Sequence, residues 1–166
     1  MHPMHHPLFI QFLAYFNGNQ DYFECHEVLE EYWKKVAPRD KTHPLTGWIQ
    51  LATGLYHWRR ENFKGAQTIL IKAERTLRTA IHDPFLEEIN TSDLLQQIHL
   101  SQLKIDQHDL YECWYIDIIS PTLKSIVDQA ILVLPPSDTY FLQNKHFLRD
   151  RSNILLEREE KRRSRH

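Results

Sequence analysis

Apolar residues recur three and four positions apart along most of this chain, which is the spacing of amphipathic α-helices. Residues that end helices interrupt this pattern at short intervals, among them Asn17-Gly18-Asn19, Pro38 and His82-Asp83-Pro84. The stretches predicted to be helical are 7–16, 21–36, 45–60, 63–81, 91–107 and 121–134. Because short connections favour antiparallel neighbours, the sequence predicts an all-α, single-domain bundle of about six helices built from antiparallel helix hairpins.

Two segments depart from the helical pattern. Residues 111–119 are rich in aromatic and β-branched side chains, but no partner strand is evident, so we predict an irregular segment there. Residues 137–166 are polar and end in arginines interleaved with glutamates. We therefore assign residues 5–136 to a helical domain and 137–166 to a polar C-terminal helical extension or tail.

The N-terminus carries three histidines, His2, His5 and His6, between prolines. Chain ends of this composition tend to be poorly ordered. The sequence therefore predicts a frayed terminus whose imidazoles bind metals only adventitiously.

Composition excludes several classes of function. The chain has 166 residues, of which 25% are charged, and its formal net charge is −2. This balance gives no global electrostatic signal for nucleic acid or membrane, so we expect neither as a partner. Only four glycines are present, which favours helices over a sheet built on tight turns.

The two cysteines, Cys25 and Cys113, are far apart and form no CxxC motif. Reduced thiols are the simplest interpretation, because disulfide scaffolds use closely spaced and more numerous cysteines. No apolar run resembles a signal peptide or approaches the roughly 18 residues of a membrane span. We therefore expect a cytoplasmic protein.

The densest group of chemically active side chains lies in the second predicted helix. His26 and Glu30 are four residues apart and share one side of the helix, and Trp33 would wall the same patch. An angle of about 100° per residue points the other carboxylates of this helix toward solvent. These are Glu24, Glu27 and Glu31.

The third predicted helix carries a row of small and polar residues opposite its apolar stripe: Gly47, Gln50, Gly54, His57 and Glu61. Such a row predicts either the close approach of another helix or the lining of a polar pocket. In a pocket, Gln50 and His57 would join the His/Glu pair of the second helix. Exposure of these polar side chains to water is an equally good interpretation of the spacing.

A metal ion is one candidate occupant of this site, with His26, Glu30 and His57 as its ligands. Most zinc sites take at least three protein ligands, and only two stand here at good spacing within one helix. The motif is not the zinc-protease HExxH, because Glu30 occupies the position of the second histidine. The alternative is structural, with Glu30 holding a ring N–H of a histidine at the edge of the core.

The ordered set of motifs resembles a known family, domain of unknown function 309, whose hallmark is HxxxExxW or HxxxExxY. His26, Glu30 and Trp33 match this hallmark in register. Residues 47–57, reading GWIQLATGLYH, resemble the next helix of the family. The resemblance covers roughly residues 5–82, about half of the chain.

This resemblance implies an all-α bundle and a motif that has been suggested to bind metal, but it implies no established reaction. The positions of this chain that match the family's site residues are His26, Glu30 and Trp33, with Gln50 and His57 as weaker additions. One departure is Trp48, which stands where an aliphatic residue is more usual. The chain after Pro84 carries no motif of the family.

Two functions follow as hypotheses. The first is a site for a divalent metal ion or a small ligand between the second and third helices, with metal-assisted hydrolysis as the natural reaction class if the site is catalytic. No nucleophile motif or phosphate-binding loop is present, so enzymatic activity stays open. The second is a tetratricopeptide-like interaction module, in which the His/Glu pair is a structural clamp.

The second hypothesis rests on a repeat at an offset of about forty, between 23–29 and 63–69. Its partner would be another protein, and exposed aromatic side chains are also compatible with a homodimer. Exposure of the His/Glu pair discriminates between the two hypotheses. A partly open polar pocket favours a ligand site, whereas a fully buried and mutually hydrogen-bonded pair favours the clamp.

Overall fold

The structure is a computed structural model that describes residues 1–135, so the predicted extension at 137–166 lies outside the described part. Six α-helices follow one another: α1 (Pro7–Ala14), α2 (Tyr22–Val36), α3 (Pro44–Arg59), α4 (Phe63–Thr79), α5 (Thr91–Asp106) and α6 (Pro121–Leu132). Each of α2, α3 and α4 packs against the next helix in the chain, and α1 packs on both α2 and α6. The all-α fold predicted from the sequence is confirmed.

Proline and a capping side chain set the start of several helices. In α1 and α3 the residue before the first proline is a histidine, and its Nδ1 accepts the backbone N–H two residues on, 3.1 Å away in both His6 and His43. Ser120 caps α6 in an equivalent way through its hydroxyl. The caps satisfy N–H groups that lack partners inside the helix, and proline removes one of those donors.

Helix α3 lies at the centre of the bundle, and none of its residues is exposed. Its buried residues cover more than half of its circumference, and half-buried residues complete the remainder. Its two glycines face α4. A Cβ on Gly54 would lie 2.5 Å from a methyl carbon of Leu70, and one on Gly47 would lie 2.9 Å from Leu77. The row of small residues therefore marks the close approach of another helix, one of the two interpretations that its spacing allowed.

The segment between α5 and α6 is largely irregular, as predicted, and is fastened to the helices by side chains. The Asn17 amide donates to the Ile116 carbonyl over 2.9 Å and accepts the Ile116 N–H over 2.8 Å. Among the described residues, the single strand-like pairing is an antiparallel bridge between Ile89 and Ile118. This pairing supplies the partner that the sequence did not reveal.

All four tryptophans fasten a connecting segment through the indole N–H. Trp48 donates to the Phe85 carbonyl over 3.3 Å, and Trp58 to the Asp109 carbonyl over 2.9 Å. Trp114, within the irregular segment, donates to the Ser101 hydroxyl on α5 over 3.0 Å. The fourth, Trp33, binds the loop between α2 and α3.

The prediction of a frayed N-terminus is wrong. Pro3–His5 form a 3₁₀ turn, Met4 is fully buried, and the Tyr32 hydroxyl donates to the Pro3 carbonyl over 2.8 Å. Burial of the Met4 side chain in the hydrophobic core orders this short polar terminus, because it adds apolar burial to the few local hydrogen bonds.

We expect the Gly54→Ala substitution to destabilise the protein by about 1–3 kcal/mol, because the new methyl group meets the fully buried Leu70 side chain. Helix propensity alone predicts the opposite sign, a stabilisation of up to about 1 kcal/mol. Urea denaturation measures the difference. The exposed Lys72→Ala on α4 is the control and should change stability by less than about 0.5 kcal/mol. A Gly54→Ala variant more stable than the parent would contradict the tight contact.

We expect the His43 cap to make stability depend on pH. Burial lowers the pKa of His43, although the nearby Asp40 and Asp83 act in the opposite direction. Because the unfolded chain then binds the proton first, the stabilisation is complete above about pH 6.5 and is lost as the pH falls through the pKa of the folded state.

The matched variant is His43→Asn, because asparagine retains a capping oxygen but does not titrate. Urea denaturation at several pH values measures the unfolding free energies of parent and variant. Below about pH 6.5, the unfolding free energy of the parent should fall relative to that of the variant. A difference that stays constant down to about pH 5 would show that His43 does not cause the dependence.

Candidate functional site

Three potential ligand atoms converge on the surface of α2. His26 Nδ1 lies 3.4 Å from Glu27 Oε1 and 3.6 Å from Glu30 Oε2, and all three groups offer ligand atoms within 4.8 Å of one another. The helix begins at the Asp21 cap and buries Tyr22, Cys25 and Leu29 against the core. That stripe fixes the rotation of α2, so His26 stands at the boundary between core and solvent.

This cluster is partly open. The His26 side chain is 35% exposed and the Glu30 side chain 36%. The Lys34 ammonium lies 2.9 Å from the other Glu30 oxygen and is the main reason that the pKa of the Glu30 carboxyl is lowered; the neighbouring His26 acts in the same direction. Glu30 therefore keeps its negative charge and its capacity to accept a cation at neutral pH.

A cleft of about 280 Å³ adjoins the cluster and lies between α2 and α3. Its lining includes the rings of Phe23 and Tyr56, the imidazoles of His26 and His57, the Glu27 carboxylate and the Arg60 guanidinium. The Arg60 guanidinium lies 5.4 Å above the centre of the Tyr56 ring, in cation–π contact. The cleft thus combines aromatic walls with groups of both charges.

The structure brings His26 and His57 to this one cleft but places two other predicted residues elsewhere. The Gln50 side chain accepts a hydrogen bond from the Thr76 hydroxyl over 3.2 Å, against α4. The Trp33 indole donates to the Asp40 carbonyl over 2.9 Å and fastens the loop after α2. Neither side chain belongs to the lining of the cleft.

Sequence reasoning placed Glu27 in solvent, and its side chain is exposed, but the prediction left this residue out of the cluster with His26. The side chain is half exposed, yet its carboxylate turns back to His26 and lines the cleft. A helical projection gives only the direction in which a side chain leaves the backbone, and glutamate has enough rotatable bonds to return to its neighbour. Arg60 and Phe23 were also missed, because only the packing of α2 on α3 brings them together.

Tyr22, which lines the cleft, belongs to a group of aromatic and cationic side chains. The Tyr22 and Tyr111 hydroxyls are hydrogen-bonded to each other, and the Arg59 guanidinium lies over both rings, at 4.6 and 5.4 Å. Burial raises the pKa of Tyr22 well above its usual value and that of Tyr111 to about 12. Both phenols are therefore neutral at physiological pH and position the cleft without supplying a base.

The fold and the site define a protein of helical hairpins with a His/Glu cluster beside a cleft. The family described as Domain of unknown function (DUF309) matches residues 9–69 of this chain. The chain is also similar to Uncharacterized protein YpuF of Bacillus subtilis (strain 168), with 33% identity over 170 residues that cover 94% of each chain. The chain belongs to this family, as the HxxxExxW motif predicted. No solved structure matches the chain. Within residues 1–135, no helix is long and apolar enough to cross a membrane.

We expect Trp33→Phe to lower the unfolding free energy by about 1 kcal/mol, because the Asp40 carbonyl loses its indole donor. Metal affinity of the His26 cluster should not change, since the indole does not reach the cleft. Urea denaturation and a metal titration of the same preparations test both statements. If Trp33→Phe weakens metal binding but leaves the unfolding free energy unchanged, Trp33 belongs to the metal site after all.

Proposed function

We propose that this protein binds a divalent metal ion through His26, Glu27 and Glu30, and a small ligand in the adjoining cleft. The observation that carries the proposal is the convergence of one imidazole and two carboxylates within 4.8 Å at the edge of that cleft. Three protein ligands are enough for a metal that keeps open coordination positions. The set differs from the one proposed from the sequence, because Glu27 takes the place of His57.

The mixture of donors narrows the choice of metal. Imidazole suits zinc, iron and related transition metals, whereas carboxylates also suit manganese and magnesium. Two carboxylates balance the charge of a divalent ion, and the half-exposed position leaves room for further ligands. We therefore propose Zn²⁺ and Mn²⁺ as the first ions to test.

We propose that His57 and Arg60 contact the small ligand in the cleft. Both line the cleft with Glu27, so a ligand held there can meet an imidazole and a guanidinium. Aromatic walls from Phe23 and Tyr56 favour a molecule with an apolar part. A small organic anion with an apolar body fits this lining best.

The structural clamp is the weaker alternative. A clamp that fixes how two helices cross should be buried and tightly hydrogen-bonded, but the His26 and Glu30 atoms are 3.6 Å apart, and about a third of each side chain is exposed. The carboxylate also has an ion pair with Lys34. These features favour an accessible ligand site over a helix clamp or a tetratricopeptide-like module.

We expect isothermal titration with Zn²⁺ and Mn²⁺ to detect one metal site. Its affinity should fall at least about tenfold in His26→Ala and in Glu30→Gln, because each substitution removes one of three ligands. Glu27→Gln should weaken it similarly. The protein should carry no histidine tag, and the parent and every variant should include His5→Gln to limit binding at the N-terminal histidines.

Glu31→Gln is the matched control, since Glu31 lies on the same helix and pairs with Lys35 outside the cluster. This control should bind within about threefold of the parent, because it keeps all three ligands. Equal affinities for Glu30→Gln and Glu31→Gln, with both proteins folded by circular dichroism, would refute the metal site. Loss of folding in His26→Ala and absence of binding in the parent would instead support the clamp.

A further inference from the structure

A second convergence of metal-binding groups lies where the N-terminus meets the turn before α5. His2, His5 and Glu88 offer ligand atoms that all lie within 4.8 Å of one another. The His5 Nε2 atom is 2.5 Å from a Glu88 carboxylate oxygen, and His2 Nε2 is 3.1 Å from a carboxylate oxygen of Glu87. None of these residues takes part in the proposed function.

The backbone around this cluster is held by contacts on both sides. Met4, between the two histidines, is fully buried, and its sulfur accepts the Glu88 N–H over 3.3 Å. The Glu88 carbonyl accepts the Ile119 N–H over 3.0 Å. The ligand-bearing segments are therefore fixed relative to each other before any ion binds, which reduces the entropy lost on binding.

The cluster is also better shielded than the one on α2. Its side chains are 25% exposed at His2 and His5 and 20% at Glu88, against 35–50% for the three groups of the His26 cluster. Partial burial weakens the competition of water for a bound ion. Histidines brought together with one carboxylate are the ligand set of His₂Glu zinc sites.

We propose that His2, His5 and Glu88 form a zinc-binding site that ties the N-terminal turn to the segment before α5. Ligand atoms around a tetrahedral zinc ion lie about 3.3 Å apart, so the present groups need to move by no more than about an ångström or two. Zinc with two neutral imidazoles and one carboxylate carries one excess positive charge.

Binding has one local consequence. The Nδ1 atom of His2 accepts the Met4 N–H over 3.1 Å, so Nε2 of the neutral ring carries the proton. Coordination through Nε2 moves that proton to Nδ1, which breaks this hydrogen bond and also the one between Nε2 and the Glu87 carboxylate. The site therefore binds zinc less tightly than a site without such competition, and we expect the Met4 amide resonance to shift when zinc is added.

The experiment uses untagged protein with His26→Ala, which removes the α2 cluster, so the outcome is independent of the proposed function. Zn²⁺ is added in isothermal titration. The decisive pair is Glu88→Gln against Glu87→Gln, because the two glutamates are neighbours but only Glu88 belongs to the cluster. A second pair is His5→Gln against His6→Asn, since asparagine keeps a capping oxygen at α1.

We expect the protein to bind one Zn²⁺ ion. The affinity should fall at least about tenfold in Glu88→Gln and in His5→Gln, and should change less than about threefold in Glu87→Gln and in His6→Asn. Excess Zn²⁺ should raise the melting temperature of the His26→Ala protein but not that of its Glu88→Gln derivative, because a folded site binds the ion and the unfolded chain does not. Equal affinities for Glu88→Gln and Glu87→Gln would show that the histidines bind zinc as a flexible segment, and this would overturn the proposal. Absence of Zn²⁺ binding in the His26→Ala protein would overturn it as well.

Discussion

The cover that α3 needs from its neighbours is the constraint on which the rest of the molecule depends. A helix whose apolar and small residues cover more than half of its circumference is stable only when several other elements pack on it. In this protein α2 and α4 cover two faces, and the glycines of α3 bring α4 close enough to leave no gap. The cleft exists because this cover is incomplete at the C-terminal end of α3, where His57 and Arg60 meet α2.

The positions of the helices could be predicted from the sequence because each helix is bounded by residues with a strong local effect on the backbone. Proline at the first helical position of α1, α3 and α6, and the capping side chain before each helix, act within a few residues, so no knowledge of the fold is needed. The contacts between helices are different. Gln50 and His57 share a row in the sequence, but they lie about two turns apart along α3, where the neighbouring elements differ, and the first packs on α4 while the second lines the cleft.

The same limit applies to the candidate site. Helical spacing correctly brought His26 and Glu30 to one side of α2, whereas the direction of the Glu27 carboxylate and the neighbourhood of Arg60 depend on rotamers and on a second helix. The N-terminal cluster lay still further from prediction. Its histidines are more than eighty residues from Glu88, and a buried methionine between them provides the only local signal.

The fastening of connecting segments by indole groups has a practical consequence for spectroscopy. Trp33, Trp48, Trp58 and Trp114 bind four different places in the chain, from the loop after α2 to the irregular segment before α6. Each indole thus sits where one connector would detach first if the protein opened locally. Trp58 and Trp114 both hold the connector between α5 and α6. Proteins that keep one tryptophan at a time would therefore report the opening of three connectors by fluorescence, so the natural sequence already carries a distributed set of optical probes.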